Sequence, residues 1–122
     1  MILADTSIWI EYLHGRKPEM RSYLATGQIA MHPMIAAELA MGSLRDRQKT
    51  LLELDQLVQV RVAQTPEVRS MIEAHALFGR GIGLVDAHLL ASCFLTPGTQ
   101  LWTRDKALGS IAAEFGVVAN LA

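Results

Sequence analysis

With a single cysteine, Cys93, the chain cannot close an internal disulfide, which fits a reducing compartment. It also lacks an excess of positive charge: 11 Lys and Arg against 12 Asp and Glu leave a formal net charge of −1. That excludes a uniformly basic nucleic-acid binder, though not a local basic rim around an acidic pocket. Its uncharged stretches are broken by Gly, Pro, Gln or His and do not read as membrane spans. Asp5 interrupts the apolar start and no Lys or Arg precedes Arg16, so no secretory signal is expected and the cytoplasm is the expected location. Repeats, low-complexity tracts and linkers are absent from the sequence, and 122 residues suit one domain, 1–122.

What is abundant is apolar. Hydrophobic residues make up 51% and the mean hydropathy is +0.25. Two readings follow: a sheet buried on both faces, and an apolar surface reserved for a partner or a second copy.

Met1 to Ala4 is a short apolar run, followed by a helix from Ile8 to Leu13 with Ser7 as its expected N-cap. Pro18 and Gly27 bracket a second helix, and Gln28 to His32 reads as a strand. Pro33 opens a helix expected to reach Leu44, with helix again over Asp46 to Leu57. Val58 to Val62 is a β-branched, alternating strand. A helix from Thr65 is expected to end at Gly79, ahead of a glycine-rich turn to Gly83. Leu84 to Leu95 is helical, Gln100 to Trp102 a strand, Lys106 to Phe115 a helix and Val117-Val118 a short last strand. Strands alternating with helices predict an α/β fold, three layers with a mostly parallel sheet of four or five strands. In such sheets ligands sit beyond the carboxyl ends of the strands, where Asp5 and Asp105 fall.

Four of the twelve acids stand in apolar surroundings: Asp5, Glu38, Asp86 and Asp105. The helical neighbours of Asp86 are Leu89, Leu90 and Cys93, and those of Glu38 are Met34, Ile35 and Met41, so both carboxylates are expected on core-directed faces. Asp46 and Glu53, by contrast, have polar neighbours and read as solvated. Each of the four has an ordinary explanation when taken singly. Asp5 could make a turn, Asp105 could cap a helix, and Asp86 could answer a helix dipole. Converging carboxylates, however, repel unless a divalent cation neutralises them. Oxygen donors without thiolates or a matched histidine pair favour Mg²⁺ or Mn²⁺ over zinc. His88 is expected on a different helix face from Asp86, and His32 as a packed or solvated residue.

ADTSIWIEYL at the start, MIAAELAMG around Glu38, GIGLVDAHLLAS around Asp86 and LWTRDKAL around Asp105 together resemble the PIN-domain ribonucleases of the VapC toxin type. The resemblance covers nearly the whole chain. It implies a PIN-like fold and a homodimer. It also implies Mg²⁺- or Mn²⁺-dependent cleavage of an RNA substrate and a cognate antitoxin protein that blocks the site. Asp5, Glu38, Asp86 and Asp105 match the family's acidic quartet. Thr6 and Ser7 match the hydroxyl positions after the first acid, and Thr103 the one before the last.

The implied chemistry is endonucleolytic hydrolysis that leaves 5′-phosphate and 3′-hydroxyl ends, with one or two cations activating water and stabilising the leaving oxygen. Arg80, Arg104 and Lys106 are the candidate RNA contacts, being nearest the acids in sequence. The apolar helix Ile8 to Leu13, with Met20, Tyr23 and Leu24, is partly core and partly an expected antitoxin surface. A phosphoryl-receiver domain or a haloacid-dehalogenase-type phosphatase would want a second acid close behind Asp5, and Thr6-Ser7 stands there instead. From another class, a catalytically silent RNA-binding or scaffold module fits the same residues.

Overall fold

A computed structural model describes residues 1–121. Its strands are β1 (Ile2–Ala4), β2 (Ile29–Met31), β3 (Val58–Gln59) and β4 (Gln100–Trp102). The helices are α1 (Thr6–Leu13), α2 (Glu19–Ala25), α3 (Pro33–Ala40), α4 (Arg47–Asp55), α5 (Thr65–Ala74), α6 (Leu84–Leu95) and α7 (Lys106–Glu114). All strand pairs are parallel, in the order β3-β2-β1-β4. The expected parallel α/β architecture is therefore present.

Central β1 is apolar and buried along its length, as a strand covered on both faces must be. The chain runs from β1 outward through β2 to β3 and then back past β1 to β4; because crossovers between parallel strands are right-handed, the outward and the return helices fall on opposite faces. Helices α1 to α4 thus cover one face, where α1 packs on α3 and α3 on α4; α5 packs on α6 against the opposite face. The direction of travel reverses between β1 and β4, so their carboxyl ends flank the switch point where such sheets bind ligands.

Several boundaries differ from expectation for identifiable reasons. Helix α1 begins at Thr6 with Asp5, not Ser7, as its N-cap: the Asp5 carboxylate accepts from the Ile8 amide at 3.2 Å, and the Ser7 hydroxyl is spent on Asp5 itself. Helix α3 stops at Ala40 rather than Leu44 because the Arg47 guanidinium donates to the carbonyls of Ala40 (2.6 Å) and Gly42 (3.1 Å). Strand β3 is shortened: after the Val60 amide bonds to Met31, the Arg61 amide turns away to the Thr96 hydroxyl at 2.9 Å. Helix α5 ends at Ala74 because Ala76 takes a left-handed conformation (φ 50°) and the Leu77 amide closes back on Ile72, ahead of Gly79. The last strand is reduced to a single bridge between Leu101 and Val118.

In α1, Ile8 and Trp9 are core residues, as is Met20 of α2, so they offer no docking surface. Ile10, 41% exposed, is the apolar residue of α1 that faces out.

Candidate active site

Asp5 leaves the end of β1 and is held on three sides. Its amide donates to the Trp102 carbonyl at 2.9 Å, locking it to the end of β4. One carboxylate oxygen accepts from Ser7 (2.6 Å) and the Ile8 amide; the other accepts from the Thr103 hydroxyl. Only 7% exposed, it is the most buried of the four acids. Thr103 also accepts from the Asp105 amide at 3.0 Å, so one hydroxyl joins the loops after β1 and β4 across the switch point.

Asp105 caps α7, its Oδ1 accepting from the Leu108 amide at 2.9 Å. Asp86 lies in the first turn of α6, where its Oδ2 accepts from the Gly83 amide at 3.2 Å. That amide went unnoticed in the sequence, although an acid three residues into a helix commonly reaches back to the N-cap amide. Glu38 corrects the expectation of a core-directed face. It is exposed, because the buried stripe of α3 is Ile35 and Leu39, and the supposed apolar neighbour Met41 stands 89% exposed. Residue type alone does not assign a face. Glu38 Oε1 accepts from the Thr6 hydroxyl at 2.6 Å.

These four carboxylates, from four separate elements, line one cleft of about 460 Å³ with Thr6, Ser7 and the Gly83–Val85 turn. Their charges reach one another. Burial pushes the Asp86 carboxyl above its ordinary value and the Gly83 bond opposes this, while Asp105, Asp5 and Glu38 raise it further. The fit to a divalent cation follows from the donor set: hard oxygens only, mutually repelling, with Asp86, Glu38 and Asp105 each keeping one oxygen outside the bonds just described. They surround the cleft without closing into a chelate; among the described residues no three His, Cys, Asp or Glu side chains stand within metal-binding distance of a common point.

The basic candidates lie elsewhere. Arg80 is turned to Glu114 at the end of α7 and Arg104 to Glu11 of α1, at 2.6 Å, so neither lines the cleft. Lys106, exposed and next to Asp105, forms no ion pair among the described residues. A larger groove of about 940 Å³ adjoins the cleft at Glu38, lined by Ile10, Leu13, Leu39 and Leu44 with Arg45 at its edge. His32 and His88, read as ordinary from the sequence, are both fully interior.

Known proteins bear on this geometry. The PIN domain family model matches residues 2–114. Ribonuclease VapC32 of Mycobacterium tuberculosis (strains CDC 1551 / Oshkosh and ATCC 25618 / H37Rv) is 43% identical over 117 residues, spanning 96% of this chain and 94% of the relative. VapC ribonuclease Mb1587 of Mycobacterium bovis and Ribonuclease VapC11 of M. tuberculosis are 29% identical over 132 residues, 99% of this chain and 93% of theirs. The chain belongs to the PIN-domain family and, within it, to the VapC-type ribonucleases.

Proposed function

We propose that this protein is a metal-dependent endoribonuclease, the toxin of a toxin–antitoxin pair, hydrolysing RNA to 5′-phosphate and 3′-hydroxyl ends. The observation that carries the reading is the gathering of four carboxylates around one cleft at the switch point of the sheet, where burial first and the other three acids after it raise the Asp86 carboxyl. Asp5, Glu38, Asp86 and Asp105 are the residues that would hold Mg²⁺ or Mn²⁺. When bound, the ion supplies a water of lowered pKa and positive charge against the phosphate. Thr6 aims Glu38, while Ser7 and Thr103 fix both oxygens of Asp5.

Among the described residues no basic side chain lines the cleft, so phosphate steering falls to its rim. Lys106 is free for this role. Arg80 and Arg104 would have to exchange Glu114 and Glu11 for phosphate.

For the antitoxin, the adjoining groove is the better seat than the buried part of α1. An amphipathic helix laid on Ile10, Leu13 and Leu44 could extend a basic side chain past Glu38 towards the acids. The reading extends to a cytoplasmic homodimer, for which exposed Phe78 and Phe94 offer apolar surface.

The test is to map the ends of total RNA after incubation with Mn²⁺. Wild type should yield new 5′-phosphate ends that vanish with Asp5→Asn. Intact RNA that is nonetheless bound would favour a silent RNA-binding module.

A further inference from the structure

Glu38 and Asp86 ride on α3 and α6, which the right-handedness of parallel crossovers sets on opposite faces of the sheet. Between these helices two imidazoles meet. His32, at the carboxyl end of β2, and His88, one half-turn beyond Asp86, are 0% and 2% exposed, with ring centroids 6.3 Å apart and planes at 72°.

The protonation of His32 can be read from its surroundings. Its Nδ1 accepts from the Met34 amide at 3.0 Å, capping α3, so that nitrogen carries a lone pair. Burial first, then the neighbouring His88, lowers its pKa to about 4, so the ring is neutral at ordinary pH. Its single proton therefore sits on Nε2, pointing a donor into the interior. Among the described residues that Nε2 has no partner; nor do Nδ1 and Nε2 of His88, nor the hydroxyl of Ser92 one turn along α6. An unsatisfied buried polar atom costs the full desolvation of that group. Native interiors almost always satisfy such atoms with protein groups or ordered water.

We propose that His32, His88 and Ser92 bind one buried water, which accepts from His32 Nε2 and donates to His88, clamping the start of α3 to α6. The clamp fixes the separation of Glu38 from Asp86, making His32 and His88 positioning residues for the cation site. This role rests on the nuclease reading; the water site does not.

Two measurements test it. Long-range ¹H–¹⁵N spectra of the wild-type imidazoles should show His32 as the Nε2–H tautomer, its ring proton slow to exchange and in contact with a long-lived water. An Nδ1–H tautomer, or a freely exchanging ring proton, overturns the water site. Calorimetric Mn²⁺ titrations then compare wild type with His32→Asn, which keeps the helix cap, with His88→Phe, and with the double variant. Each single change should weaken Mn²⁺ about tenfold. The double should be no weaker than either single, with His88→Phe melting no lower than wild type. Unchanged affinity in both folded single variants, or losses that multiply in the double, overturns the clamp. If wild type itself binds no Mn²⁺, the nuclease reading fails and takes the positioning role with it, while the ring spectra still decide the water site.

Discussion

The side chain with most consequences per atom is Thr103. Its hydroxyl donates to Asp5 and accepts from the Asp105 amide, so it sets two acids at once. Thr103→Val keeps the shape and removes both bonds. Mn²⁺-dependent RNA cleavage should fall about 10- to 100-fold in that variant and recover in Thr103→Ser, as read by initial rates over a Mn²⁺ series. His32 has a different signature. Its folded pKa of about 4 lies below the ordinary 6.5, so between those values the unfolded chain binds the extra proton. The contribution is complete above pH 6.5 and is lost as pH falls through 4, a loss of roughly 3 kcal/mol. Urea unfolding across this window should show the slope in wild type and a flatter one in His32→Asn.

The secondary-structure elements show where sequence reading succeeds. Leu84–Leu95 and Gln100–Trp102 have the expected bounds, because glycine, proline and hydrophobic pattern all mark the same ends. Elsewhere side-chain partners moved the ends. Arg47 reaches back to the carbonyls of Ala40, the last residue of α3, and Gly42 beyond it, and Thr96 draws Arg61 out of the sheet. Nothing in a linear pattern announces such bonds. The end of α5 was missed because alanine, rather than glycine, occupies the left-handed position at Ala76. A side chain there strains the backbone by about 1–2 kcal/mol. Ala76→Gly should therefore raise stability by about 1 kcal/mol in denaturant melts, and an unchanged or lower midpoint would contradict the assigned cap geometry.

At the scale of the whole molecule, the acids were identifiable in sequence and expected to converge beyond the strand ends, but the geometry that gathers them was not legible. Asp5 and Asp105 are helix caps and Asp86 bonds an N-cap amide, so each has an adequate local reason to exist. Only the strand order β3-β2-β1-β4 brings the ends of β1 and β4 side by side and turns caps into a charged cleft. The exposed setting of Glu38 was equally invisible, since it depends on which stripe of α3 meets the sheet. The histidine pair was missed because sequence separation hides a meeting across the sheet.

A cluster of this kind holds the fold under electrostatic tension, which a bound cation would relieve. Because the Asp86 carboxyl is raised, its charged form opposes folding at neutral pH when no ion is bound. The most direct measurement is therefore thermal unfolding of wild type and Asp86→Asn, each with EDTA and with saturating Mn²⁺. In EDTA, Asp86→Asn should melt above wild type. Mn²⁺ should then raise the wild-type midpoint, by the equivalent of about 2.7 kcal/mol at one hundred times its dissociation constant, and leave the variant nearly unmoved. A wild-type midpoint indifferent to Mn²⁺, with Asp86→Asn no more stable in EDTA, would contradict a shared cation site.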